Sequence, residues 1–390
     1  MDLHKNMEKR GKRLIVVLGM HRSGTSTIAR GLNAMGVSLG DKLIPPCEGD
    51  NEKGFWEDID INSLNIEILK SINSDWHFLS AIKQREFDTI KQKGYLDRAI
   101  ELIHNKTSHC DIFGFKDPRL SRLLPFWKEV FTYCQLDVSY VLAIRNPMSV
   151  VDSLKKRNGF DNEKSYLLWL GHVIHSLTGT IDGNRVLVDY DRLMEDPDRE
   201  IKKIAECLNL KIDPHELETY KIDFLDKSLR HTLHNLNDLI LDKTLPPLVR
   251  EVYSTLLDIS ETGIIENVAL SEKISKWENE LERIDSALSL ADKLYFQKTI
   301  ADQSVIEQKI QISNLKQQLC KQEQLLTQKD EELRQKNEEL NQKNEELNQK
   351  NEELNQKNEE LNQKNEEIIN IRASLSWRIT SPLRFMQGYC

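Results

Sequence analysis

Nine residues near the start of the chain, Gly19-Met-His-Arg-Ser-Gly-Thr-Ser-Thr27, combine two glycines, four hydroxyls and one arginine. They follow a short apolar run, Leu14–Leu18, and precede Ile28–Met35, whose apolar residues fall at helical spacing. A loop that leaves a strand and opens a helix aims backbone N–H groups at an anion, with the helix dipole behind them. Gly24 lets the backbone approach closely. Ser23, Thr25, Ser26 and Thr27 are further candidate donors, and Arg22 supplies charge. The spacing is close to that of a Walker A loop, but Thr25 stands where that pattern needs a lysine. Without the lysine, a γ-phosphate and its magnesium are poorly served. A donor whose single 5′-phosphate carries the transferable group fits better.

The elements that must position this loop read as an α/β domain. Leu14–Leu18, Ile112–Phe115, Val138–Ile144 and Arg185–Val188 are short runs rich in branched or aromatic residues, expected as buried strands. Asp117-Pro118 and Asn146-Pro147 each pair an N-cap with an N1 proline. They predict helices running to Trp127 and to Lys156. Ile201, Ile204, Ala205 and Leu208 form one face of a helix over 197–208. Strands alternating with helices predict a parallel sheet of P-loop type covered on both sides.

With those elements in place, His21-Arg-Ser-Gly-Thr-Ser26 resembles the 5′-phosphosulfate loop of sulfotransferases that use 3′-phosphoadenosine 5′-phosphosulfate (PAPS). Arg145-Asn-Pro-Met-Ser-Val-Val-Asp-Ser153 resembles their 3′-phosphate motif, an arginine at a strand end and a serine eight residues later. Arg145 leaves the sheet at its carboxyl edge, where open α/β sheets bind ligands. Ser153 follows about two helical turns on. Gly54-Phe-Trp-Glu57, Gly114-Phe-Lys-Asp-Pro-Arg119 and Leu229-Arg-His231 are similar to segments of a bacterial branch of the family. The resemblance covers roughly 12–235 and implies sulfuryl transfer from PAPS to an acceptor hydroxyl. It assigns donor binding to Arg22, Ser23, Gly24, Thr25, Ser26, Thr27, Arg145, Ser153 and Arg230. Arg22 stands where many relatives have a catalytic lysine; it is expected to clamp charge rather than donate a proton. Glu57 is the preferred base, because flanking aromatics raise a carboxyl pKa by desolvation, with Asp117 and His77 as competitors. Lys116 and Arg119 are candidates to line the site. No metal is implied. Acceptor specificity is expected in loops within 40–100 and 155–180.

The chain has 390 residues, 39% of them apolar, and a net charge of −9. That charge argues against bulk binding to nucleic acid. Cys47, Cys110, Cys134, Cys207, Cys320 and Cys390 show no metal or redox spacing and read as free thiols. The Leu14–Leu18 run is too short for a signal peptide, and no stretch is long enough to span a bilayer. These features predict a cytoplasmic protein, free or peripheral on the inner face of the membrane.

From Trp277 a heptad register runs through Ile284, Ala291, Val305, Ile312 and Leu319 to Leu361 and Leu375, broken at Lys298. It predicts a coiled coil. Near-perfect copies of Gln-Lys-Asn-Glu-Glu-Leu-Asn put Asn337, Asn344, Asn351, Asn358 and Asn365 at successive a sites. Asparagine there favours a parallel homo-oligomer, a dimer first, though identical repeats permit slippage by whole heptads. A rod over 305–375 would be on the order of 100 Å long. The expected division is a sulfotransferase domain over 1–240, a helical connector over 241–300, a coiled coil over 301–372 and an amphipathic tail over 373–390. The tail, Leu375–Phe385, resembles segments that end bacterial surface-polysaccharide enzymes. That implies a glycan acceptor and a membrane or assembly contact. Two other readings remain open at this stage: a P-loop kinase or other nucleotide-binding protein, and an inactive nucleotide-binding scaffold.

Overall fold

In the computed structural model, residues 12–47, 50–226, 234, 236–242, 245–263, 265, 268–374 and 378–380 are described. Arg230 and residues 381–390 lie outside them, so the expectations for Arg230 and for most of the tail do too. Strand β1 (Arg13–Leu18) feeds the loop and helix α1 (Thr25–Asn33). Helices α2 (Ile59–Ser71), α3 (Gln84–Gln92) and α4 (Tyr95–Ser108) lead to β2 (Ile112–Lys116). Helix α5 (Leu120–Tyr133) leads to β3 (Asp137–Ile144), followed by α6 (Pro147–Asn158) and α7 (Asn162–Gly179). After β4 (Asn184–Asp189) come α8 (Tyr190–Glu195), α9 (Pro197–Cys207), α10 (Pro214–Thr219), α11 (Leu236–Leu241) and α12 (Pro247–Ser260). Helix α13 then runs over Val268–Ala373.

The four strands form one parallel sheet in the order β2-β1-β3-β4. The chain passes from β1 to β2 on one side and then crosses back to β3 on the other. This reversal opens a crevice beyond the carboxyl ends of β1 and β3, where such sheets bind ligands. Alternation along β1 explains the layers. Leu14, Val16 and Leu18 point into a core shared with Trp127, Trp169 and Ile174. Ile15 and Val17 point into a second core with Ile28, Val141 and Ile201. These five β1 side chains are at most 1% exposed, consistent with a strand covered on both faces.

Several local readings need correction. Asp117-Pro118 does not open a helix. It forms a turn, Leu120 N–H donating to the Asp117 carbonyl, and α5 begins at Leu120. The Asp117 carboxylate does cap this turn, Oδ1 accepting from Arg119 N–H at 2.9 Å, and it has further partners described below. The span 155–180, in which loops are expected, is mostly helix, whereas 40–100 alternates α2, α3 and the start of α4 with loop; each of α2, α3, α4 and α7 has buried apolar residues. Asn146 does cap α6, its side chain accepting from Met148 N–H at 3.0 Å.

One compact unit extends to Gln297 and a second covers Lys298–Cys390. In the first unit, α12 and the opening turns of α13 pack on the domain through Val252, Leu256, Ile274, Trp277, Leu281 and Leu288. Of the register read from the sequence, Trp277 therefore faces the domain's own core, with Leu281 and Leu288 beside it, whereas Ile284 and Ala291 are exposed. In the second unit the helix carries Leu333, Leu340, Leu347, Leu354 and Leu361 at 57–59% exposure. Among the described residues no helix is long and apolar enough to cross a membrane. Five cysteines are described, all as free thiols.

Candidate active site

The loop after β1 curls through two residues in the left-handed region, Arg22 at φ 70° and Gly24 at φ 81°. Alternating hands of this kind turn successive N–H groups inward as an anion nest. A non-glycine residue at positive φ is uncommon and costs energy, so the surroundings must hold it. They do: Arg145 Nη1 donates to the Arg22 carbonyl at 3.1 Å. Trp169 Nε1 in turn donates to the Arg145 carbonyl at 3.2 Å, fixing the end of β3. Gly24 is required for a second reason. A Cβ there would lie 2.1 Å from Cδ2 of Tyr190, whose ring also sits under the Arg145 guanidinium at 4.7 Å.

The side chains expected to bind the donor converge. Arg22 Nε donates to Ser153 Oγ at 2.7 Å, which joins the loop to α6. Arg22 Nη1 meets the Asp50 carboxylate at 2.6 Å, and Arg157 Nη1 approaches its other oxygen at 3.8 Å. Ser23 and Thr25 are buried in the turn. Ser26 lies at the start of α1, and the Thr27 carbonyl accepts from Tyr220. Ser23 Oγ and Arg145 Nε are out of solvent with no hydrogen-bond partner among the described residues. Buried polar groups are normally satisfied. His21 Nε2 on the same loop is likewise unpaired among the described residues, and unsatisfied polar groups at an anion nest fit an anionic ligand.

Beside the loop lies a buried polar network. Lys116, the last residue of β2, donates to Glu57 Oε1 at 2.7 Å and to Ser26 Oγ at 3.0 Å. Asn62 on α2 donates to Glu57 Oε2 at 2.6 Å. Asp117 accepts from Asn65 at 3.0 Å and from Arg119 Nη1 at 3.0 Å. Burial pushes the Glu57 carboxyl upward, with Asp117 adding to the rise and the Lys116 ammonium opposing it. Glu57 is thus joined to the loop through one lysine. Asp117, by contrast, is committed to holding Asn65 and Arg119. His77 pairs with Asp75 at 3.7 Å and packs on Tyr295. His21 packs against Trp76 with ring centroids 4.2 Å apart. Burial, with Arg157 and Arg119 adding to it, drives its imidazole well below the usual range, so it is neutral at pH 7.

Sequence reasoning missed Tyr190, Asp50, Arg157 and the bridging place of Lys116. Tyr190 carried a readable signal, since it follows the end of β4 as Arg145 follows the end of β3. Asp50 and Arg157 had none, being brought together only by the tertiary fold. Among the described residues, no group of His, Cys, Asp and Glu is arranged to hold a metal ion.

Residues 15–214, just over half of the chain, match the model of the Sulfotransferase family. No curated protein matches the sequence. Among solved structures, the sulfotransferase domain of the Synechococcus PCC 7002 olefin synthase is 14% identical. The match covers 67% of this chain and 98% of that one, with a TM-score of 0.34. A sulfotransferase of Mycobacterium tuberculosis H37Rv is 13% identical over 63% of this chain and 77% of its own, again at 0.34. A retinol dehydratase complexed with androsterone and the inactive cofactor PAP is 12% identical over 69% and 80%, at 0.29. Scores this low carry no weight beside the family match.

Proposed function

Since the chain belongs to the Sulfotransferase family, we propose that it transfers the sulfuryl group of PAPS to an acceptor hydroxyl, on a glycan or its lipid-linked precursor. The observation that carries the donor assignment is the convergence of Arg22, Ser153 and Arg145 on one loop, with Ser23 Oγ and Arg145 Nε left unpaired. The loop 19–27 would hold the 5′-phosphosulfate end. Arg145 and Ser153 would hold the 3′-phosphate, with Arg230 as a further candidate. The donor supplies an activated sulfur whose bond to the phosphate oxygen breaks as the acceptor oxygen attacks.

The chain's own groups have three tasks. Glu57 takes the proton of the acceptor hydroxyl; burial keeps its carboxyl basic enough to do so. Arg22 and Lys116 hold the charge that builds on the leaving phosphate oxygen, Lys116 from its seat between Glu57 and Ser26. Fixed donors in a dry site need no reorganisation during reaction, and removing one such donor typically costs about 10²–10³ in kcat. Arg22, always protonated, acts as an electrostatic clamp. The glycan assignment rests on the likeness of the tail.

The second unit supports a parallel dimer. Lys336, Lys343, Lys350, Lys357 and Lys364 occupy g sites beside the a-site asparagines, and e sites carry Asn341, Asn348, Asn355 and Asn362. Parallel pairing sets each g lysine against an e asparagine. Antiparallel pairing would oppose lysine to lysine and asparagine to leucine.

The test of the reaction is transfer of ³⁵S from labelled PAPS to glycan precursors, with free sulfate counted in parallel. Labelled product from the wild type, lost in Glu57→Gln while 3′,5′-adenosine bisphosphate still binds, is the expected outcome. Undiminished transfer by Glu57→Gln would remove Glu57 as the base.

A further inference from the structure

The segment 74–83 has neither helix nor strand, yet it carries Trp76, which packs on His21 of the phosphate loop at 4.2 Å, and His77. Backbone N–H groups in such a segment need partners. Here they come from α13. Asp292 accepts from Leu79 N–H and Ser80 N–H, each at 2.8 Å, and from Ser80 Oγ at 2.7 Å. Asp285 accepts from Ala81 N–H at 2.9 Å and pairs with Lys83. Seven residues separate the two aspartates, two turns on one helix face. Asp292 is only 4% exposed, so its charge is spent on this segment. From the other side Arg122 donates to the carbonyls of Asp75, Phe78 and Ser80. Rings complete the arrangement. Tyr295 of α13 packs on His77 at 5.3 Å and on Phe160 at 6.4 Å, and Lys164 Nζ lies 3.3 Å from the Tyr295 ring centroid. Trp76 meets Phe160 at 5.8 Å and Arg157 at 5.4 Å.

We infer that the opening turns of α13 belong to the acceptor side of the active site: Asp292 and Asp285 seat the 75–81 segment, and Trp76, His77 and Tyr295 wall the space beside the phosphate loop against water. This inference rests on the sulfuryl-transfer reading for what the wall encloses. Asp292 is a positioning residue, acting through the segment it holds; Tyr295 is part of the wall itself. The same helix goes on to carry the heptads, so the element that supports the proposed dimer also helps to build the site. Excluding water from an activated donor suppresses its hydrolysis. A loosened wall therefore has a signature that needs no knowledge of the acceptor, namely release of free sulfate.

The experiment uses the full chain with Asp292→Asn and Tyr295→Ala. Hydrogen exchange is followed at residues 79–81, ³⁵S-sulfate release from labelled PAPS is measured without acceptor, and affinity is measured for 3′,5′-adenosine bisphosphate. In Asp292→Asn, exchange at 79–81 should accelerate about tenfold or more, because local opening no longer breaks charged hydrogen bonds. Sulfate release should rise about threefold or more, with nucleotide affinity held within about twofold. Tyr295→Ala should raise sulfate release while leaving exchange at 79–81 slow. Unchanged exchange in Asp292→Asn, or unchanged sulfate release in both variants, overturns the inference. So does a loss of nucleotide affinity that parallels the gain in hydrolysis. If the wild type neither binds the bisphosphate nor consumes PAPS, the donor reading fails, and the exchange result alone decides whether α13 seats the segment.

Discussion

Replacing Lys116 by methionine isolates the electrostatics of the buried network. The ammonium is 2% exposed and bridges Glu57 Oε1 at 2.7 Å and Ser26 Oγ at 3.0 Å. Methionine is of similar length and apolar, so packing changes little while the charge is lost. Removing one member of a buried ion pair costs about 3–5 kcal/mol, because the other is left uncompensated. In a domain of this size that lowers Tm by roughly 6–20 °C. The loss should depend on pH in a defined direction. Burial raises the Glu57 carboxyl and Lys116 opposes the rise; without Lys116 it climbs further. A carboxyl whose folded pKa lies above its unfolded value of about 4.3 contributes fully below that value. The contribution is lost as pH rises through the folded pKa. The gap between wild type and Lys116→Met should therefore be small at pH 5 and widen toward pH 8. Scanning calorimetry of the full chains at four pH values reads it directly. Adding Glu57→Gln should restore most of the stability and none of the sulfate transfer. A gap independent of pH, or a double variant as unstable as the sum of the two single ones, would refute this account of the network.

Gly24→Ala should abolish nucleotide binding and lower stability by about 1–3 kcal/mol, since its Cβ meets Tyr190 at 2.1 Å with φ at 81°. Denaturant melts and bisphosphate titration check both parts. Asp50→Asn should tighten 3′,5′-adenosine bisphosphate up to about fivefold at low salt, because the Asp50 carboxylate now competes for Arg22 at 2.6 Å; calorimetric titration measures it. Asp189, raised to about 7 by burial and by Asp191, stabilises the fold in its protonated form. Its contribution is complete below pH 4 and lost as pH rises through 7, so Asp189→Asn should flatten that fall in stability between pH 5 and 8.

The strands were legible because each is a compact apolar run, and the sheet's two-sided burial follows from such runs. The phosphate loop was legible because its residues are consecutive. Legibility ended where side chains meet across the fold. Asp117 before Pro118 has the pattern of a helix cap, and its Oδ1 does accept from Arg119 N–H; the pattern gave no sign that Asn65 from α2 and the Arg119 side chain share that carboxylate, or that the regular helix starts three residues later. Glu57 stood out beside Phe55 and Trp56. What surrounds it, Lys116 from β2 and Asn62 from α2, follows from the packing of α2 beside the carboxyl end of β2. The heptads of α13 read alike from Trp277 onward, because a stripe at that spacing suits a domain core and a partner helix equally. Only burial of Trp277, Leu281 and Leu288 against the domain separates the two uses.

The central claim is that this loop, with Arg145 and Ser153, reads a nucleotide carrying both a 5′- and a 3′-phosphate. It is tested most directly by titrating wild type and Arg145→Ala with 3′,5′-adenosine bisphosphate and with 5′-AMP, in the presence of EDTA. The wild type should prefer the bisphosphate by about a hundredfold or more, and Arg145→Ala should erase most of that preference, a charged hydrogen bond being worth about 1.5–3 kcal/mol. Equal affinity for the two nucleotides, or binding of ATP with magnesium alone, would contradict it.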